Sequence, residues 1–268
     1  MKFIRWIFLF CLMISGIVNA QTGGKMERHT LTHDKQERDY LVYTPTNYDD
    51  NQSYTLLLAL HPAGTSAQDM RSMTRFDRLA DANNVLIVFP NSVSGRWDSS
   101  GILGIDDVGF ISALLDTIIA DYAVDESQVF VLGYSSGGLM TMKLRCAMAD
   151  RIAGIISYAA PLTFQIANEC LSSEPVSAFV IHGTLDEVFP YGGQASVSNG
   201  ELSGTFSANQ TIGVLASLNG CAPDEQNFDL SADDAPNQVY AKLYPCNGLV
   251  TQLYTVAGLG HYGWAGTL

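Results

Sequence analysis

The run Val129-Phe130-Val131-Leu132-Gly133-Tyr134-Ser135-Ser136-Gly137-Gly138 constrains this chain more than any other stretch. A short series of β-branched, aromatic and aliphatic residues enters Gly-x-Ser-x-Gly, and Leu139 to Arg145 continue in a pattern that suits a helix. This reads as buried strand, sharp turn, helix. Glycines on both sides of the serine allow neighbouring backbone to approach closely, so the turn lifts a hydroxyl above a sheet edge. Such a unit belongs to an α/β fold with a mostly parallel central sheet flanked by helices, the turn lying at Gly133-Gly137. Ser135 is the candidate nucleophile.

The remaining apolar runs fit that class. Strands are predicted at 38–43, 54–60, 85–89, 152–158, 176–181, 238–244 and 250–256, and helices at 76–83 and 208–218. The stretch after Asp106 and Asp107 carries Val108, Phe110, Ile111, Leu114, Leu115, Ile118 and Ile119 at helical spacing. Acidic residues there cap free amides and suit the helix dipole. Both also precede Ser135, which argues against a catalytic carboxylate at either position.

Residues 1–20 combine Lys2 and Arg5, a thirteen-residue apolar core and a small residue at Ala20. This is the pattern of a cleaved secretory signal, too short for a permanent span, with Cys11 as part of its apolar core. Residues 21–268 are then expected to form a single catalytic domain that is secreted or periplasmic. Removing Lys2 and Arg5 from the 14 basic residues leaves 12 against 27 acidic ones, which disfavours nucleic acid or an anionic membrane surface as a partner. Composition says nothing about oligomeric state.

Four cysteines remain: Cys146, Cys170, Cys221 and Cys246. An even number in an exported chain points to disulfides, with three possible connectivities. Sequential pairing closes two loops of similar length. No Cys-x-x-Cys pair occurs, and the single His-x-x-x-His spacing, His29 and His33, lies near the predicted mature N-terminus, so neither a metal nor another cofactor is expected.

A serine hydroxyl needs a base and an orienting acid. The strand at 176–181 runs into His182-Gly183-Thr184-Leu185-Asp186-Glu187, and the final strand into Gly258-Leu259-Gly260-His261. The order serine, acid, histidine nominates Asp186 and His261, with Glu187 as the alternative acid. His29 and His33 lie too early in the chain, while His61 and His182 end strands and suit local packing. The loop His61-Pro62-Ala63-Gly64 follows an early strand, where sites of this type place one oxyanion amide. Pro62 has no N–H, so the donors are expected at Ala63 and Ser136. Trp97, alone in the Gly- and Ser-rich loop 91–104, serves either as a packing anchor or as a cleft wall.

The chain resembles the polyhydroxybutyrate depolymerase and feruloyl esterase group, carbohydrate esterase family one, among the α/β-hydrolases. The resemblance rests on Asp106-Asp107-Val108-Gly109-Phe110, Gly133-Tyr134-Ser135-Ser136-Gly137-Gly138, His182-Gly183-Thr184-Leu185-Asp186, Pro190-Tyr191-Gly192-Gly193 and Gly258-Leu259-Gly260-His261. It implies a Ser135, Asp186 and His261 triad, sequential disulfides, and Trp97 as a wall of the substrate cleft. It also implies a secreted serine carboxylic ester hydrolase acting on feruloyl or other aryl esters of plant polysaccharide, or on oligoesters of the poly(3-hydroxybutyrate) type. The chain departs from the pattern with His61-Pro62 where the group has His-Gly, with Ser136 in place of Asn, and with one extra residue before Trp264, a further candidate substrate contact. It also stops seven residues after His261, where relatives continue into a packed helix. Acyl transfer on the same fold and a non-catalytic binding module are the competing readings.

Overall fold

The computed structural model describes residues 23–198, 201–233 and 236–263. The expected leader at 1–20 and Trp264 lie outside them. Strands are β1 (Lys25–His33), β2 (Gln36–Thr44), β3 (Tyr54–Leu60), β4 (Val85–Pro90), β5 (Val124–Tyr134), β6 (Gly154–Tyr158), β7 (Ser177–Gly183), β8 (Gln194–Ser198), β9 (Glu201–Thr205), β10 (Gln226–Asp229), β11 (Val239–Pro245) and β12 (Val250–Val256). Helices are α1 (Ala67–Thr74), α2 (Asp77–Asn83), α3 (Asp107–Asp121), α4 (Ser136–Ala147), α5 (Phe164–Glu169) and α6 (Ala208–Leu218).

Ten strands make one sheet in the order β1-β2-β4-β3-β5-β6-β7-β12-β11-β10, and β8 with β9 forms a separate hairpin. From β4 to β12 every neighbour is parallel, whereas both edges are antiparallel. This is the α/β-hydrolase architecture. Strand parity sorts the core onto two faces, because successive side chains of a strand point to opposite sides. On β3, Leu56, Leu58 and Leu60 join a cluster with Phe110, Leu114 and Ile212 from α3 and α6. The intervening Leu57 and Ala59 pack with Ala67, Met70 and Ala80 from α1 and α2. Near-continuous apolar runs are what a doubly covered parallel strand needs.

Several elements had weak sequence signals. β1 alternates exposed and half-buried positions along an edge, so its apolar content is low. Helix α1 buries only Ala67 and Met70; its legible cue was the capping box of Ser66 and Asp69. Strands β8 and β9 pair as a short, mostly exposed hairpin. Asp106 caps α3 as expected, its side chain accepting from the Gly109 N–H at 2.8 Å. Asp107 differs: it is buried, accepting from Arg38 Nη2 at 2.7 Å and from the Asp98 N–H at 2.7 Å. Among the described residues no helix is long and apolar enough to cross a membrane.

Cys146 pairs with Cys170 and Cys221 with Cys246, the sequential connectivity. The first ties α4 to the 3₁₀ turn Cys170–Ser172 after α5, and the second ties the end of α6 to the β11–β12 turn. Replacing Cys221 and Cys246 together by Ser should lower unfolding free energy by roughly 2–5 kcal/mol, the usual cost of losing a native bridge. The checking measurement is denaturant unfolding, and equal midpoints for the two proteins would contradict it.

Candidate active site

The turn after β5 holds Ser135 at φ 55° and ψ −116°, a backbone conformation that a residue with a side chain adopts at a cost. Packing leaves little alternative. A Cβ on Gly133 would stand 2.0 Å from the Gly137 carbonyl oxygen, and one on Gly137 would stand 2.3 Å from that of Leu60. Helix α4 is thereby pressed onto β5 and β3, and the Ser135 N–H donates to the Tyr158 carbonyl at 3.0 Å. Its side chain is pushed to the top of the sheet.

The loops after the parallel neighbours β7 and β12 are stitched together beside it. Thr184 N–H donates to Val256 O at 3.0 Å, Leu185 N–H to Leu259 O at 3.0 Å, and Gly258 N–H to Thr184 Oγ1 at 2.9 Å. This sets Asp186 against His261, with Nδ1 lying 3.0 and 2.9 Å from the two carboxylate oxygens. His261 Nε2 is 2.8 Å from Ser135 Oγ. A carboxylate can only accept, so Nδ1 carries the proton and Nε2 presents its lone pair to the serine hydroxyl. All three side chains are shielded, with Ser135 9%, Asp186 5% and His261 2% exposed.

Glu187, the alternative acid, meets the same loop differently: its Oε2 accepts the His261 backbone N–H at 3.1 Å. Tyr134 donates its hydroxyl to the His261 carbonyl at 2.6 Å. Backbone and ring of His261 are therefore held by separate groups. Asp186 Oδ1 also accepts the Val188 and Phe189 amides at 2.9 and 2.8 Å, which fixes the carboxylate plane. Burial pushes the Tyr134 phenol up to about 12, so it stays a donor at neutral pH.

Two histidines outside this group lock the surroundings. His61 Nε2 accepts the Ser92 N–H at 3.1 Å, so its Nδ1–H donates to Pro62 O at 2.8 Å. The Gly64 N–H reaches Gly95 O at 2.8 Å and Trp97 Nε1–H reaches His61 O at 3.0 Å. The loop bearing Ala63 is thus clamped to the loop bearing Trp97. His182 donates from Nε2 to Phe189 O at 2.8 Å and lies 3.4 Å from Asp186 Oδ2. Burial holds both imidazoles below their ordinary value of 6.5. A neutral His182 leaves the Asp186 charge to His261.

Ser135 opens into a cleft of about 1020 Å³ that is also lined by the other expected residues Ala63, Ser136 and Trp97. Ser136 begins α4, so its N–H belongs to the unsatisfied first turn, where a developing anion is favoured. Ile102, Leu139, Phe164, Val188, Phe189 and Leu202 supply an apolar lining. Trp97 is 3% exposed, anchored through its indole N–H, and is among the residues lining the cleft. Among the described residues one group could offer ligand atoms to a metal, namely His33, Asp34 and Asp106. It lies outside the cleft, and His33 is already hydrogen-bonded to Asp106 at 3.1 Å.

A phospholipase/carboxylesterase family model matches residues 98–211. A probable feruloyl esterase C from Aspergillus terreus is 27% identical over 207 residues, covering 74% of this chain and 73% of that protein. A bifunctional acetylxylan esterase/xylanase from Neocallimastix patriciarum is 31% identical over 156 residues, covering 58% of this chain but 22% of that longer protein. Among solved structures, an acetyl xylan esterase from Aspergillus awamori superposes with a TM-score of 0.66 at 16% identity, over 88% of this chain and 94% of that one. At that identity the likeness is one of fold.

The buried neutral histidines make stability depend on pH. The unfolded chain binds protons at 6.5 and below, while the folded chain resists them at His61 and His182, so stability is lost as pH falls from that value. The melting temperature should drop between pH 7 and pH 5. A His61→Gln, His182→Gln double variant should melt lower overall but with a flatter profile, and an unchanged slope would contradict the assignment.

Proposed function

We propose that the chain is a carboxylic ester hydrolase related to the feruloyl esterases, and that it cleaves acyl esters of plant polysaccharide through an acyl-serine intermediate. One observation carries the reading. Ser135 Oγ, His261 and Asp186 form a continuous hydrogen-bonded line at the floor of an apolar cleft wide enough for an aryl ester.

In the proposed reaction the Ser135 oxygen attacks the ester carbonyl while its proton passes to His261 Nε2. Asp186 holds the imidazole tautomer and stabilises the imidazolium. The tetrahedral oxyanion lies between the backbone amides of Ala63 and Ser136, and each such donor contributes roughly 3 kcal/mol to transition-state stabilisation. Collapse breaks the bond to the alcohol, which leaves with the proton from His261. Water, deprotonated by the same imidazole, attacks acyl-Ser135 and releases the acid and the free serine. The chemistry calls on no metal or cofactor.

A feruloyl or similar aryl acyl group suits the aromatic and aliphatic walls, and the names of the relatives point the same way. The leader pattern of residues 1–20 and the two disulfides support an extracytoplasmic location.

Hydrolysis of methyl ferulate, acetylated xylan oligosaccharides, a 4-nitrophenyl acyl series and 3-hydroxybutyrate oligomers is the test. Ser135→Ala should lower kcat by about 10⁴-fold or more while melting like the parent, and should no longer react with a fluorophosphonate. Asp186→Asn should cost roughly 10⁴-fold and Glu187→Gln less than about tenfold. Retained turnover by Ser135→Ala overturns the nucleophile. Preference for hydroxybutyrate oligomers moves the substrate to polyesters, and ester products formed only with an added alcohol move the reaction to acyl transfer.

A further inference from the structure

Among the described residues lining the cleft, Arg96 is the only charged one. The chain as a whole is strongly acidic, with a net charge of −13, so its long-range field repels anions. Seven of the twelve Lys and Arg side chains among the described residues are matched to carboxylates, as Arg38 is to Asp107, Arg71 to Asp77, Arg151 to Asp116 and Lys242 to Glu225. Arg96 has no such partner among the described residues, and its side chain is exposed at the cleft.

The base on which it stands is fixed. Its neighbour Trp97 is buried and bonded to His61 O, and the next residue, Asp98, accepts the Leu103 and Ile105 amides at 2.9 and 3.2 Å. On the other side Gly95 O is bonded to the Gly64 N–H, next to Ala63. The guanidinium is therefore mounted on the same clamped pair of loops that presents the expected oxyanion amide. Polar side chains share its cleft, Ser99, Ser100, Gln165 and Asn168 among them, but none is anionic.

Resting on the ester-hydrolase reading of this cleft, we propose that Arg96 is a specificity determinant that selects esters bearing a carboxylate, by a charge-assisted hydrogen bond that a planar guanidinium makes well. The carboxylate has two chemical sources. It stands either on the alcohol side, as in a uronic acid unit of a polysaccharide, or on the acyl side, as in the half-ester of a dicarboxylic acid.

Two matched pairs of rigid aryl esters separate these sources. 4-Acetoxybenzoate against 4-acetoxybenzamide places the charge on the leaving alcohol. Mono-(4-nitrophenyl) terephthalate against 4-nitrophenyl 4-carbamoylbenzoate places it on the acyl group. For at least one pair, the ratio of kcat/KM for carboxylate over amide should fall about fivefold in Arg96→Gln, mainly through KM, as loss of an exposed ion pair predicts. It should fall further in Arg96→Glu and be partly kept in Arg96→Lys. Raising the salt concentration should lower the ratio in the parent enzyme and not in Arg96→Gln. The pair that responds identifies the side of the ester. Hydrolysis with ratios equal in the parent and Arg96→Gln for both pairs overturns this inference alone, whereas no hydrolysis of any of the four by the parent overturns the ester-hydrolase reading with it.

Discussion

The contact between the β5 turn and the start of α4 is the constraint on which the rest depends. With no side chain at Gly133 or Gly137, helix and strands close to a distance that holds Ser135 at positive φ. A nucleophile on a regular strand would point into one of the two cores, and one on a regular helix would follow the helix face. The strained turn does neither, and it places the first free amide of α4 beside the hydroxyl. Geometry that costs local stability survives because the surrounding packing over-determines it.

The second constraint is a polar interior tied together by two sets of hydrogen bonds. His61, Trp97, Arg38 and Asp107 form one connected set under the cleft, with the Arg38 guanidinium 3.7 Å from the Phe110 ring centre and 2.7 Å from Asp107. His182, Asp186, Phe189 and His261 form another. Each set joins loops that are distant in sequence, so hydrogen bonding fixes the relative position of groups that hydrophobic packing alone would locate only loosely. Keeping His61 and His182 neutral avoids placing extra positive charge in the protein interior beside the line from Ser135 to Asp186.

The cleft is built from the parts of the chain with the least internal regularity. Its walls come from the 96–102 loop, α5, Val188 and Phe189, and the β9 strand of an exposed hairpin. Rigid parallel strands supply reacting groups while variable loops shape what can reach them. A single cation on an otherwise uncharged lining is consistent with that division.

Most of the architecture was legible because parallel strands buried on both faces must be continuously apolar: 54–60 and 250–256 emerge from the sequence with the bounds of β3 and β12. The Gly-x-Ser-x-Gly turn was legible because its glycines act locally, whereas the cysteines by themselves left three connectivities open and the sequential pairing came only with the family resemblance. Edge strand β1, the short helices α1 and α5 and the β8–β9 hairpin were not, because exposed or short elements bury too little to leave a periodic signal. Nor could the sequence choose between Asp186 and Glu187 as the partner of the His261 ring, or show that Asp107 is buried against Arg38 and that Arg96 alone charges the cleft. The choice of acid depends on how the loops after parallel neighbours meet in space, a relation between residues 74 or 75 positions apart that local propensity does not carry and only tertiary packing decides, as it also decides the other two.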